Sequence, residues 1–283
     1  MAGIGPEFES RRAHHKGDIS VLLDAKRQRL RSIIGGYESA VIAFSGGVDS
    51  SLVCVVAYEI LADNAVAITA VSETYPSSEL EISRKLADRV GIKHLVISTD
   101  ELQDSNFSKN PSERCYFCKK ELLRKLDGIR EELGFKHIFD GTNFDDYSDI
   151  RPGLRAVREF DVHSPLAEAR LTKDEVRKLA ASYGLSNADK PANPCLASRI
   201  PFGMNISLEK LDRINKGEEY VRSLGFNIVR VRDQDGLARV EVGIEEIPMA
   251  KKLEKDISLA LCKIGYSSVA IDHQGYRMGG ANI

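Results

Sequence analysis

Two short runs, far apart in the chain, carry the side chains best placed to do chemistry. The first is 44-FSGGVDSS-51, where the apolar run 40-AVIA-43 breaks into glycines and hydroxyls just ahead of 52-LVCVVAYEIL-61. Adjacent glycines, Gly46 and Gly47, let backbone N–H groups converge on one concavity and let an anion approach closely. A helix starting there points its positive end at the same spot, and Ser45, Ser50 and Ser51 add hydroxyl donors. Asp49 is out of place beside phosphates unless a cation lies between them. Mg2+ meets that need, since it binds one or two carboxylates together with phosphate oxygens. The turn therefore reads as a nucleotide cradle with Asp49 on Mg2+. It is not the G-x-x-x-x-G-K-[ST] pattern, and no lysine is in view to reach the terminal phosphates.

The second run, 191-PANPCLASRIPFG-203, sets Cys195 between a proline and the pair Ser198-Arg199. Loops with fixed φ tend to position functional groups, which makes Cys195 the candidate catalytic thiol. A third stretch, 114-RCYFCK-119, holds Cys115 and Cys118 at the start of a helix, beside Arg114, Lys119 and Lys120. Those cations are expected to lower the thiol pKa. A lone C-x-x-C fits zinc, an iron–sulfur cluster, a redox or persulfide pair, or a structural role. Zinc wants four ligands, and no second C-x-x-C or close Cys/His pair supplies them. Cys115, Cys118 and Cys195 on a [4Fe–4S] cluster would leave one iron open to carry an extra sulfide, and this reading is favoured over the others. Cys54 and Cys262 lie in apolar helical patterns and read as small buried hydrophobes.

These groups need a scaffold, and from about residue 20 to 200 apolar strands alternate with amphipathic helices. Strands are expected at 40–44, 66–71, 93–98 and 137–142, with helices at 19–36, 49–61, 78–91 (serine-capped) and 113–133. That pattern means an α/β fold, a doubly wound parallel sheet covered on both faces, with ligands beyond the carboxyl ends of the strands. The Gly-rich turn, Ser72 and Gly141 all fall at such ends. After Pro201 the pattern changes to a smaller α+β unit: helix 207–224, strands 226–233 and 237–242, helix 246–264 and strand 268–272. The expected division is 18–204 and 205–283. Residues 1–17, with GPEF, read as a tag remnant or disordered tail.

The 283 residues are 42% hydrophobic and 29% charged, with a net charge of −2, which argues against a surface devoted to nucleic acid. No apolar run approaches the roughly 20 residues needed to span a bilayer. The amino terminus lacks an apolar signal core, so a cytoplasmic location is expected. Five cysteines do not read as a disulfide framework.

The turn SGGVDS, after an apolar strand and before a helix, resembles the PP-loop of the ATP pyrophosphatases, among them GMP synthetase, NAD synthetase, argininosuccinate synthetase and the tRNA thiolation enzymes. The resemblance covers most of residues 36–200. It implies cleavage of ATP between its α and β phosphates, with AMP passing to the substrate. It also implies that Ser72 lies where such proteins hold adenosine. By the same resemblance 141-GTNFDD-146 is a second nucleotide-side segment, with Asp145 or Asp146 as further acids. The stretch 164–185 resembles the proline-led loop and cap helix of that family; the residues alone give a surface helix with a Thr172/Glu175 capping box.

Together with RCYFC, PCLASRIPFG and the C-terminal VRVRD, ARVEV and GYRMGG, the chain from about 20 to 283 is similar to the LarE family, ATP-dependent sulfur transferases of nickel-pincer cofactor synthesis. That resemblance implies a pyridinium biscarboxylate mononucleotide substrate whose carboxylate becomes a thiocarboxylate. The sulfur comes either from Cys195 itself, leaving dehydroalanine, or through a [4Fe–4S] cluster on three cysteines. This chain has all three, which favours the cluster form. Arg230 and Arg232 alternate on one strand and face one side. With Ser198 and Arg199 they are expected to bind the substrate phosphate and carboxylates, the alternative being solvated strand arginines. Glu218 or Glu219 is a weaker candidate that could equally be helix surface. The family further implies a homo-oligomer, with hexamers known. The rivals are a tRNA thiolation enzyme, an amidating synthetase needing an ammonia source that is not in view, and an ATP-binding sensor.

Overall fold

Strand periodicity decides which face each side chain covers. In the computed structural model, which describes residues 6–148, 151–191, 193–277 and 280–282, four strands form one sheet. They are β1 (Ala40–Ala43), β2 (Ala65–Val71), β3 (Lys93–Ser98) and β4 (His137–Phe139), all parallel, in the order β3-β2-β1-β4. Ala40, Ile42, Ala65 and Ala67 pack on one face against Leu30, Ile34, Leu52 and Val56 of the first two helices. Val41, Val66, Ile68 and Ile138 pack on the other, against Tyr116, Leu123 and Leu126 of the Cys-bearing helix. Alternate residues bury on opposite faces, as a sheet covered by helices on both sides requires. This is the expected α/β sheet. Strand order runs outward from β1 to β3 and then returns to β4, so the topological switch lies between β1 and β4. A ligand crevice forms at the carboxyl ends of strands at such a point.

A second, three-stranded sheet holds β5 (Val229–Gln234), β6 (Leu237–Val242) and β7 (Ser268–Ile271) in that order, with β5/β6 antiparallel and β6/β7 parallel. Helices Leu208–Ser223 and Glu254–Ile264 cover it through Val221, Ile257 and Leu261. A further apolar cluster of Phe107, Leu196, Ala197, Ile200, Leu211 and Ile214 joins the two parts.

Several boundaries differ from the sequence reading. The first helix runs Pro6–Gly35, taking in residues 6–17 of the expected tail, while residues 1–5 lie outside the described residues. β4 stops at Phe139 because the Asp140 carboxylate accepts from the Thr142 backbone N–H (3.1 Å), turning the chain. The third helix, Ser77–Val90, has Pro76 rather than a serine at its N-cap. The helix expected over 246–264 is two pieces, Ile247–Lys252 and Glu254–Ile264, parted at Leu253. Cys54 is buried as expected, but Cys262 is exposed. Part of the GYRMGG motif, residues 278 and 279, lies outside the described residues.

Candidate active site

The Gly-rich turn leaves β1 with Gly46 at φ +72°, a conformation that favours glycine, and the helix Val48–Leu61 starts from Gly47. Ser50 Oγ accepts from the Ser45 N–H (3.2 Å) and donates to the Gly47 carbonyl (3.2 Å). Ser51 Oγ donates to the same carbonyl (2.9 Å) and accepts from Asn187 Nδ2 (2.9 Å). Gly141, just after β4, packs so tightly on the turn that a Cβ there would stand 2.8 Å from Ser50 N. A cavity of about 380 Å3 opens over this corner, with Ser45, Asp49, Ser50, Ser72 and Gly141 in its wall. Ser72 Oγ and Thr74 Oγ1 both donate to the buried Glu101 carboxylate, at 2.5 and 2.7 Å, which fixes the loop after β2. Gly47 lines a neighbouring cavity instead, while Gly46 and Ser51 are spent on the frame of the turn.

The lysine missing from the turn comes from elsewhere. Lys173 Nζ is ion-paired with the Asp49 carboxylate, which also accepts from Asn143 Nδ2 (3.2 Å). Lys173 opens the helix Lys173–Ser182, whose Thr172/Glu175 capping box is formed as expected. The helix read as plain surface thus aims its N-terminus at the Gly-rich turn, held there by Lys26 on Glu175 (2.7 Å). Lys173, Arg177 and Lys190 line a second cavity of about 400 Å3 on the far side of the turn. Of the two further acids, Asp145 accepts from the Lys173 N–H (2.7 Å) and serves as a brace. Asp146 faces the first cavity with Arg151 at 2.7 Å. Burial pushes the Asp146 carboxyl up and Asp49 adds to this, whereas the Asn143 N–H and Arg151 oppose it.

A third cavity, about 790 Å3, is lined by Cys115, Cys118 and Cys195 together, along with Phe107, Leu122 and Phe202. Cys118 also lines the first cavity, and Cys195 lines all three. Cys118 is not depressed as the neighbouring cations led us to expect. Burial pushes Cys118 up, and Glu101, Cys195 and Cys115 act the same way against Lys119. Burial also pushes Cys195 up, with Arg114 and Arg199 opposing it and Cys115 adding to it. The cations are engaged elsewhere: Arg114 Nη1 donates to the Ala197 carbonyl (2.9 Å), and Lys119 pairs with Asp140 (3.1 Å). Burial alone would raise Asp140, but Lys119, Thr142 and Ser164 outweigh it and hold the carboxyl low.

Arg199, Arg230 and Arg232 are buried, not solvated. Arg199 and Glu218 are fully buried and paired at 2.7 Å. Arg199 also donates to the Pro194 and Cys195 carbonyls (2.7 and 3.2 Å), to Ser198 Oγ (2.9 Å) and to Asn193 Oδ1 (3.0 Å). It is the strut of the cysteine loop. Glu218 additionally takes Arg222 (2.6 Å) and the Val231 N–H (3.2 Å). Arg232 pairs with the buried Glu241 (2.7 Å) and donates to the Ser198 carbonyl (3.0 Å). Arg230 lies over Tyr276, and burial with Arg199 nearby pulls it down to about 10, so it stays charged at neutral pH. None of Ser198, Arg199, Arg230, Arg232 or Glu218 lines the three cavities; they form the layer behind Cys195.

A sulfur donor set of three cysteines on one cavity suits an iron–sulfur group in its chemistry. Among the described residues no group of three or more His, Cys, Asp or Glu is gathered closely enough for a single metal ion. Asp49, with Asp146 on the same cavity, is an oxygen donor pair of the kind Mg2+ takes beside phosphates.

Residues 28–112 match the family described as asparagine synthase. With the parallel sheet and the Gly-rich turn at its switch point, that match defines an ATP-using enzyme of the PP-loop class. At 33% identity the chain matches the pyridinium-3,5-bisthiocarboxylic acid mononucleotide synthase of Lactiplantibacillus plantarum, over 92% of this chain and 95% of that protein. It is 44% identical to an uncharacterized protein of Synechocystis, over 92% of this chain and 98% of that one. A tRNA-specific 2-thiouridylase of Rickettsia africae is 28% identical over 72% of this chain and 65% of its own. The chain belongs to the LarE family of ATP-dependent sulfurtransferases. Among the described residues no helix is long and apolar enough to cross a membrane.

Proposed function

We propose that this enzyme adenylates a carboxylate of pyridinium-3,5-biscarboxylic acid mononucleotide and converts it to a thiocarboxylate. The observation that carries this reading is the position of Cys195, in the wall of the nucleotide cavity, the cysteine cavity and the lysine-lined cavity at once. Ser45, Gly47 and Ser50 line the triphosphate cradle on the frame that Gly46 and Ser51 hold, Asp49 with Asp146 takes Mg2+, and Ser72 and Gly141 flank the adenosine side. A substrate carboxylate oxygen attacks the α-phosphorus, and pyrophosphate leaves toward Lys173, Arg177 and Lys190. Sulfur then attacks the acyl carbon, the acyl–oxygen bond breaks and AMP departs. Ser198, Arg199, Arg230, Arg232 and Glu218 shape the substrate side, with Arg199 acting through the cysteine loop.

Cys115, Cys118 and Cys195 would hold a [4Fe–4S] cluster, which when bound supplies a replaceable sulfide. If Cys195 gives its own sulfur, a thioester forms, Cα loses its proton and the Cβ–S bond breaks to leave dehydroalanine. The division into a PP-loop unit over 18–204 and a smaller unit over 205–283, a cytoplasmic location and a homo-oligomer, hexameric as in the family, belong to the same proposal. ATP–pyrophosphate exchange that depends on the biscarboxylate mononucleotide tests the first half-reaction; exchange without it would count against this substrate. Iron and acid-labile sulfide, measured after purification without oxygen, test the second. About four irons per chain, lost on changing any one of the three cysteines, support the cluster, and none after reconstitution leaves Cys195 as a single-use donor.

A further inference from the structure

We propose that Asn110 and Arg114 form a clamp that sets the Cys195 loop against the C-x-x-C helix, making both of them positioning residues for sulfur delivery. The proposal rests on the reading that Cys115, Cys118 and Cys195 act as one set. Asn110 is fully buried and stands at φ +55°, a left-handed conformation uncommon outside glycine. A buried amide is costly unless its hydrogen bonds are met, and here every side-chain bond is directed at the two cysteine segments. Asn110 Nδ2 donates to the carbonyls of Ile200 (3.2 Å) and Pro201 (2.7 Å), on the loop just past Cys195. Its Oδ1 accepts from Arg114 Nη1 (2.5 Å), and the same Nη1 donates to the Ala197 carbonyl (2.9 Å).

Arg114 is the first residue of the helix Arg114–Glu132 and directly precedes Cys115. One buried amide and one buried guanidinium therefore tie the helix start that carries Cys115 and Cys118 to the segment that carries Cys195. The backbone follows the same seam: the Gly203 N–H donates to the Asn110 carbonyl (2.9 Å), and the Ile206 N–H to the Ser108 carbonyl (2.8 Å). Arg199 grips the loop from the opposite side through the Pro194 and Cys195 carbonyls. With both grips in place the loop has little room to drift, and misplacement of a reacting group by about 1 Å is enough to cost about 100-fold in rate.

Asn110→Gly is the clean probe, because glycine accepts the left-handed backbone while the amide is deleted. The readout is bridging of Cys195 to Cys115 or Cys118 by a short bifunctional thiol reagent that fluoresces only when both arms react, located by peptide mass spectrometry on the cluster-free full chain. The expected result is a several-fold loss of bridging with the unfolding transition and the KM for ATP retained, while kcat for thiocarboxylate formation falls about 100-fold. Bridging at the wild-type level in Asn110→Gly would overturn the clamp. Should that variant not fold, Arg114→Lys, which keeps the charge but loses the guanidinium plane, is read by the same assay, and unchanged bridging overturns the clamp there too. If the wild type itself fails to bridge while each cysteine is alkylated singly, the reading of a joint cysteine set falls, and the clamp with it.

Discussion

In the proposed reaction the chemistry turns on Asp49 and Cys195, and each has neighbours that shape its behaviour. Asp49→Asn removes a carboxylate from the proposed Mg2+ corner and leaves Lys173 without its ion pair. Pyrophosphate release is expected to fall about 100-fold or more while the melting temperature holds, as a coupled pyrophosphate assay and a thermal melt will show. Cys195→Ala is expected to keep substrate-dependent exchange and form no thiocarboxylate. Because burial raises the Cys195 thiol, its thiolate fraction at neutral pH is smaller than that of a free cysteine. Its alkylation rate should therefore keep rising with pH beyond about 8.5, where an unperturbed thiol levels off. Both residues stand out in the sequence, Asp49 in a Gly-rich turn and Cys195 in a proline-bounded loop. The thiol shift was not legible, because its largest cause is burial, which depends on the fold closing over Cys118 and Cys195 and outweighs Lys119 and Arg114.

At the scale of elements, the close approach of the chain after β4 to the Gly-rich turn is what shapes the cavity above that turn. Gly141→Ala would place a methyl 2.8 Å from Ser50 N, against backbone that cannot step aside. A loss of roughly 1–3 kcal/mol in stability and a raised KM for ATP are expected, measured by urea unfolding and by initial rates. The start of β4 carries a separate sensitivity. His137 faces His163, with ring centres 5.1 Å apart, and Tyr37 Oη lies 3.0 Å from His163 Nδ1. Burial, then His163, lowers the His137 pKa; Arg130 acts the same way, while Glu38 and Asp161 oppose it. The folded state thus holds His137 neutral more firmly than the unfolded chain does. Its contribution is present above about pH 6.5 and is lost as pH falls through the lowered folded value, so the urea midpoint should drop between about pH 7.5 and pH 5. The four parallel strands could be read from their apolar runs. Lys173 could not be placed, because a helix that aims its N-terminus at a turn more than a hundred residues away leaves only a capping box in the sequence.

At the scale of the whole molecule, the buried Arg199–Glu218 pair joins the cysteine loop to the helix and strand of the C-terminal sheet. Burial would raise Glu218, but Arg199 and Arg222 hold it below the usual carboxylate range. Removing one partner of such a pair leaves an uncompensated buried charge, so Glu218→Ala is expected to cost roughly 3–5 kcal/mol in denaturant unfolding. The alternation of Arg230 and Arg232 was visible as strand periodicity. Their burial was not, because it depends on Glu241, Tyr276 and the cysteine loop folding over them.

The most direct measurement is a single-turnover reaction of the anaerobically purified enzyme with ATP, Mg2+ and pyridinium-3,5-biscarboxylic acid mononucleotide, with product and protein followed by mass spectrometry. The account predicts AMP, pyrophosphate and a mononucleotide in which one carboxylate oxygen has become sulfur, absent in Cys195→Ala. ATP cleavage with the mononucleotide unchanged, or the same thiocarboxylate from Cys195→Ala, would contradict it.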